Sequence, residues 1–267
     1  MELWYTDQHT KAVQFSIKSK RQLASHQSEI QRIDILETYE YGRVLVLDGE
    51  LMITEKDEFI YHEMITHVSM AVHPNVRDVL VIGAGDGGTI RELVKYPFIE
   101  NIDMVEVDKD VVTLCMVHMP FTACKLQDPR VHMYFEEGLR FVRAQKSEYD
   151  LIIVDCADPY GPAQGLFTRE FYGNCFKALR DDGILINQHE SPFYSEHSMT
   201  VQKAHKQIAA VFPLSMVYQC HIPSYPSGHW LFGFASKKHH PIDDLKDGYW
   251  IALDIKTRYY NTDLHRG

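Results

Sequence analysis

A chain of 267 residues, 45% hydrophobic and 12% aromatic, can bury a sizeable core in one domain, or in one domain with a small appendage. Its formal net charge of −10 speaks against a nucleic-acid partner and favours cationic ligands. Five cysteines without a C-x-x-C pair point to reduced thiols rather than a disulfide frame or zinc site, and neither a signal peptide nor 18 consecutive apolar residues is present. A cytoplasmic protein with no membrane partner is expected.

The first part of the chain, residues 1–56, is predicted to be a β-strand domain. Val13 to Ile17 alternates apolar and polar side chains, and Ile30 to Leu36 does so less cleanly. Tyr41-Gly42 turns the chain into Val44–Leu47, and Asp48-Gly49 is a strong hairpin signal ahead of Leu51–Ile53. From Glu58 the apolar spacing becomes helical and runs to a stop at His73-Pro74.

Beyond that stop, strands and helices alternate. Strands are predicted at Val79–Ile82, Ile102–Val107, Val131–Tyr134, Leu151–Val154, Gly183–Gln188 and Leu214–Tyr218. The intervening helices start at Thr89 or span Asp110–His118, Leu139–Ala144, Arg169–Leu179 and His197–Val211, with a last hairpin near Trp230–Ala235. Such alternation with short connections predicts a doubly wound parallel α/β sheet over residues 57–267.

Ligands of such sheets bind beyond the carboxyl ends of the strands. The first strand runs into Gly83-Ala84-Gly85-Asp86-Gly87-Gly88 and then a helix. Glycines there let a ligand approach the backbone, but Asp86 stands where a pyrophosphate would sit. An anion in that turn repels phosphates and suits a cation. Further acids follow the next strands: Glu106 and Asp108, Glu136 and Glu137, Asp155 and Asp158, and Glu190. An acid about 20 residues after the glycine turn is placed for a ribose. The pattern therefore points to a positively charged nucleoside without phosphates, such as an S-adenosyl sulfonium compound.

The loop Asp155-Cys156-Ala157-Asp158-Pro159-Tyr160-Gly161-Pro162-Ala163, taken with the glycine turn, resembles the spermidine synthase (polyamine aminopropyltransferase) family. LVLDG (45–49), TEKDEFIYHEM (54–64), GAGDGGTIRE (83–92), VEVD (105–108), DPR (128–130) and LFTREFY (166–172) carry the same likeness. So do QHESP (188–192), IPSYPSG (222–228) and TRYYNTDLHR (257–266), all in order along the chain. The resemblance implies a small β-domain on a methyltransferase-like, Rossmann-like domain. It implies transfer of an aminopropyl group from decarboxylated S-adenosylmethionine to a diamine, most commonly putrescine, giving spermidine and 5′-methylthioadenosine. By the same likeness Gln31, Gly83, Gly85, Glu106, Glu137, Gly138 and Pro162 hold the nucleoside. Tyr61, His62, Asp86, Asp155, Asp158, Glu190 and Tyr225 hold the amine, and Asp155 accepts its proton. No resident cofactor and no metal are implied, and the resemblance predicts a homodimer or homotetramer.

The chemistry agrees with those roles. A sulfonium leaves as a neutral thioether, so alignment and a deprotonated amine suffice, and an alkylamine titrating near about 10.4 needs a carboxylate to take its proton. The motif His62-Glu63-Met64-Ile65-Thr66-His67 mimics a zinc protease, but its histidines lie five apart rather than four. Met64, Met70, Met104 and Met116 are expected in packing roles, and Tyr61 and Trp230 as cavity or core aromatics. Five residues depart from the family pattern: Met52, Glu137, Cys156, Ala157 and Phe193. They leave the identity of the amine open. A small-amine N-methyltransferase and a binding protein without turnover are the rival classes, which products formed from each donor separate.

Overall fold

The computed structural model describes residues 2–156 and 165–267. Asp158 and Pro162, with the loop that carries them, lie outside the described residues. The N-terminal sheet is an antiparallel meander of β1 (Leu3–Thr10), β2 (Val13–Gln27), β3 (Arg32–Thr38), β4 (Arg43–Leu47) and β5 (Glu50–Thr54). Trp4-Tyr5-Thr6 favours the extended form, but both faces of β1 are largely exposed, so it lacks the alternation that marks the later strands. Ile33, Ile35, Leu45 and Ile53 turn one face of this sheet towards α1 (Glu58–Val72), which is buried along nearly its whole length.

The second sheet has seven strands in the order β11-β12-β10-β9-β6-β7-β8. Its parallel centre is β6 (Asp78–Gly83), β7 (Asn101–Val105), β8 (Val131–Tyr134), β9 (Tyr149–Asp155) and β10 (Leu179–Gln188). In β6, Val79 and Val81 face one core and Leu80 and Ile82 the other, as a sheet covered on both faces requires. The first core is closed by α1, α2 (Gly88–Val94) and α3 (Lys109–His118), and the second by α5 (Gly138–Arg143), α6 (Arg169–Ala178) and α7 (Ser195–Ala209). The short helix α4 (Pro120–Ala123) lies between them in sequence.

The sheet is not parallel throughout. β11 (Leu214–His221) and β12 (His229–Ser236) are joined by a short connection and pair antiparallel, and β12 runs antiparallel to β10. Only a short connection with a 3-10 turn at Pro226–Gly228 separates these two strands, and a crossover of a dozen or more residues is needed to make neighbours parallel. Two C-terminal helices, α8 (Asp247–Ala252) and α9 (Thr262–Arg266), complete the described chain. No helix among the described residues is long and apolar enough to cross a membrane.

Candidate active site

A cavity of about 490 Å³ opens over the carboxyl ends of β6, β7, β9 and β10, roofed by residues of the N-terminal sheet. The β6 turn depends on glycine at two places. Gly83 has φ +92°, and a Cβ there would overlap the Asp155 carbonyl oxygen, which accepts the Ala84 N–H at 2.8 Å. A Cβ on Gly88 would overlap the imidazole of His62, so the helix start can meet α1 only without a side chain.

That close approach builds a row of alternating charges. Arg91 donates to both Glu58 oxygens at 2.8 and 3.0 Å, and Glu58 Oε2 lies 2.6 Å from His62 Nδ1. His62 Nε2 lies 3.2 Å from Asp86 Oδ1, an ion-pair contact rather than an aligned hydrogen bond. Burial opposes the charge on His62, yet Asp86 and Glu58 raise its pKa to about 10. Burial likewise works against an ionised Asp86, but His62 and the Gly88 N–H, donated at 2.8 Å, hold it below the usual carboxylate range. Asp86 is thus a fixed anion on the cavity wall.

Asp155, at the end of β9, is set differently. Its Oδ1 accepts the Tyr61 hydroxyl at 2.6 Å and its Oδ2 the Thr89 hydroxyl at 2.6 Å. Burial first, and then the charge of Asp86, push its pKa up, and the two hydroxyls and His62 only partly offset this. Around it stand aromatic rings: Tyr61 and Tyr225 at 6.0 Å between centroids, and Tyr225 and Trp230 at 4.7 Å and 72°. Tyr225 donates to the Met52 carbonyl at 2.6 Å. The neighbouring Ser224 donates its backbone N–H and hydroxyl to buried Asp57 at 3.0 and 2.9 Å, which fixes the loop. Such a wall suits an apolar chain ending in a cation.

The other half of the cavity is lined by Gln31, Glu106, Val107, Glu137, Gly138 and Leu139. Burial raises Glu106 to about 7. Gln31 is carried across from the N-terminal sheet and held by Asp108, whose Oδ2 accepts Gln31 Nε2 at 3.1 Å and Ser28 Oγ at 2.7 Å.

Two family models cover this architecture. The spermine/spermidine synthase domain matches residues 58–246, and the spermidine synthase tetramerisation domain matches residues 3–55. The chain belongs to the spermine/spermidine synthase family. It is 79% identical, over its full length and 94% of the relative, to a polyamine aminopropyltransferase of Lachnoclostridium phytofermentans. The corresponding enzyme of Alkaliphilus oremlandii is 64% identical over the same shares. A spermidine synthase solved in complex with the transition state analogue AdoDATO is 42% identical with a TM-score of 0.96, covering 99% of this chain and 90% of that one. The spermidine synthase of Thermotoga maritima superposes with a TM-score of 0.95 at 42% identity, over 99% and 89% of the two chains. The protein is an aminopropyl-transferring enzyme of polyamine biosynthesis.

In this member of the family, the cavity gathers Gln31, Tyr61, His62, Gly83, Gly85, Asp86, Glu106, Glu137, Gly138, Asp155 and Tyr225. Glu190 is not among the lining residues. It is buried and lies 3.5 Å from His197 Nδ1, while Gln188, two residues earlier, faces the cavity. The chain after β10 is still held to β12 through His189 N–H and the Leu231 carbonyl, so it is Gln188 that ends over the cavity. Nor does every acid at the strand ends face a ligand. Asp108 caps α3 through the Asp110 N–H, and Glu136 is half-exposed beside Arg140 at 3.9 Å.

Thr89, Glu58, Arg91 and Asp57 are the site residues that sequence reasoning passed over; only TEKDEFIYHEM and GAGDGGTIRE hinted at them, as parts of longer motifs. Trp230 lines the cavity. Its Nε1 and Gln188 Oε1 have no hydrogen-bond partner among the described residues. Of the methionines expected in packing, Met64, Met70 and Met104 are buried, but Met116 is 37% exposed on the outer face of α3. The zinc-like motif dissolves into separate contacts: His67 meets Glu92 at 2.9 Å and Tyr96 at 2.8 Å, and Glu63 accepts the N–H groups of Arg258, Tyr259 and Tyr260.

Proposed function

We propose that the enzyme uses decarboxylated S-adenosylmethionine as donor and putrescine as acceptor, with Asp155 taking the proton, and forms spermidine and 5′-methylthioadenosine. The observation that carries this is the pair of unlike carboxylates in one cavity: Asp86 kept ionised, Asp155 buried and raised. Asp155, whose raised pKa makes it a better acceptor than an ordinary aspartate, takes one proton from the bound ammonium. The freed nitrogen attacks the carbon bound to the sulfonium as the C–S bond breaks and its electron pair returns to sulfur, leaving neutral methylthioadenosine and a secondary ammonium. Tyr61 and Thr89 fix both oxygens of Asp155, so the base is aimed before the substrate arrives.

Asp86 selects the donor. It attracts the ammonium of the aminopropyl group, whereas the extra carboxylate of S-adenosylmethionine would meet a like charge, a penalty of several kcal/mol in a desolvated site. The relative crystallised with AdoDATO supports a donor of this class. Gln31, Glu106, Glu137 and Gly138 hold the nucleoside, and Tyr61, Tyr225 and Trp230 flank the methylene chain of the amine, with Gln188 Oε1 as an acceptor for its far ammonium. Asp158 and Pro162 enter this scheme from the family pattern alone.

The division into a β-unit (residues 1–56) and a catalytic unit (57–267) belongs to the same proposal, as does assembly into a homodimer or homotetramer in the cytoplasm. The tetramerisation-domain match and the exposed Leu3, Trp4 and Val13 on β1 and β2 support assembly. A monomer mass by light scattering at micromolar concentration would refute it. The test of function is mass analysis of products from a panel of diamines with each donor. Spermidine with methylthioadenosine, from putrescine and the decarboxylated donor only, is expected; N-methylputrescine from S-adenosylmethionine would overturn the proposal.

A further inference from the structure

At the opposite edge of the seven-stranded sheet, where the parallel strands begin, three residues from distant segments converge. His73 caps the C-terminus of α1, Asp182 lies in β10 just before Ile184, and His239 follows β12. His73 Nε2 is 3.7 Å from Asp182 Oδ1, and the two imidazoles lie 4.7 Å apart between centroids at 43°. One ligand atom from each of the three residues falls within 4.8 Å of the others. His73 is 1% exposed, and neither its Nε2 nor that of His239 has a hydrogen-bond partner among the described residues.

Buried imidazole nitrogens are seldom left unpaired, because desolvation without a partner is costly. Two such atoms beside one carboxylate make an N,N,O donor set, which suits a borderline divalent metal such as Zn²⁺. A tetrahedral ion with bonds of about 2.0–2.1 Å wants its ligand atoms roughly 3.3 Å apart. Asp182, with a 38% exposed side chain, has room to close the remaining distance. The surrounding charges are mixed: Asp150 and Asp244 on the negative side, Lys238 and Lys246 on the positive. His239 Nδ1 lies 3.9 Å from Asp244, an outer carboxylate placed to orient the ring. His73 Nδ1 accepts the Asn75 N–H at 3.3 Å, a long contact that the ring would give up when the proton moves to Nδ1 on binding.

We propose that His73, Asp182 and His239 form a site for one divalent transition-metal ion of the Zn²⁺ class, pinning the end of α1 to β10 and β12. The site is remote from the cavity, and the ion would strengthen the fold rather than take part in transfer. Sequence spacing hides it, since the ligands are separated by more than 50 residues at each step.

The test is calorimetric titration of the chelator-treated full chain with Zn²⁺, with Mg²⁺ as a control, followed by thermal melting. One Zn²⁺ per chain in the micromolar range or tighter, no response to Mg²⁺ and a raised Tm are expected. Asp182→Asn and His239→Asn, both on the more exposed side of the cluster, should fold and weaken Zn²⁺ binding at least about tenfold, the loss typical even of outer-sphere changes. His240→Asn should leave it unchanged, and aminopropyl transfer by Asp182→Asn should match the unaltered enzyme. Absence of stoichiometric Zn²⁺ binding, or equal affinity in Asp182→Asn and His239→Asn, would overturn the proposal.

Discussion

The turns that end β6 and β9 each carry an aspartate into the same cavity, and they treat it in opposite ways. At the β6 turn, Asp86 faces a buried imidazolium and a backbone N–H, so it stays charged in spite of burial. At the end of β9, Asp155 receives only neutral hydroxyls at short range, and burial with the neighbouring Asp86 charge raises it. One residue type therefore serves as anchor in one place and as base in the other, because the environment and not the side chain sets the proton affinity. The difference is built from behind: Glu58, itself held by Arg91, and Asp86 keep His62 cationic, and Gly88 lets it come close.

Removing the base should have the largest effect. Asp155→Asn should lower turnover by about 10²–10⁴-fold, while binding of methylthioadenosine changes far less, as stopped-flow and calorimetric measurements would show. Normal turnover would end the assignment of Asp155 as proton acceptor.

The anchor's support comes next. His62→Gln leaves Asp86 buried without its counter-charge, and unfolding free energy should fall by about 3–5 kcal/mol near pH 7. The sign can be followed with pH. Because the pKa of His62 is raised from 6.5 to about 10 on folding, its contribution is complete below pH 6.5 and is lost as pH climbs through 10. Denaturation of the unaltered enzyme should show that decline between pH 7 and 10, and His62→Gln should lack it.

A smaller change sharpens the contrast without abolishing either role. Tyr61→Phe removes a hydroxyl that favours the ionised form of Asp155, so the acidic limb of the pH–rate profile should move to higher pH. The loss corresponds to a hydrogen bond to a charged group, about 1.5–3 kcal/mol at most. An unmoved profile would mean that Tyr61 serves packing alone.

Glu106 gives the smallest effect. Burial raises it to about 7, so its protonated form is favoured on folding, and the strain of ionising it is absent below 4.5 and complete above 7. Glu106→Gln should therefore stabilise the unliganded enzyme by an amount that grows from pH 4.5 to 7. A ribose hydroxyl needs the carboxylate as acceptor, so methylthioadenosine should bind the unaltered enzyme more tightly at pH 8 than at pH 6.

The anchor turn and the base turn were not equally legible in the sequence. Gly83 to Gly88 announce a strand-to-helix turn by composition, and Asp86 stands out as an anion where a phosphate is usually held. Asp155 ends a plain apolar run, but nothing near it in sequence shows that Tyr61, 94 residues earlier, and Thr89, 66 residues earlier, will meet its oxygens. Contacts made through folding at such separation leave no local period to read. That Gln188 lines the cavity has the same origin, since pairing with β12 carries β10 through Gln188. β1 and the tail helices were hidden for another reason. They are short or exposed on both faces and so carry weak patterns, whereas the tail is held by Glu63 through three backbone N–H groups.

The contrast between the two aspartates can be read directly by carboxyl-carbon NMR of the enzyme labelled at aspartate, titrated over the acid-to-neutral range without ligand. Asp155→Asn and Asp86→Asn would assign the two resonances. The Asp155 signal should titrate above the ordinary aspartate value of 3.8 and the Asp86 signal below it. Finding Asp86 to be the carboxylate that holds its proton, with Asp155 ionised throughout, would contradict this assignment of the two roles.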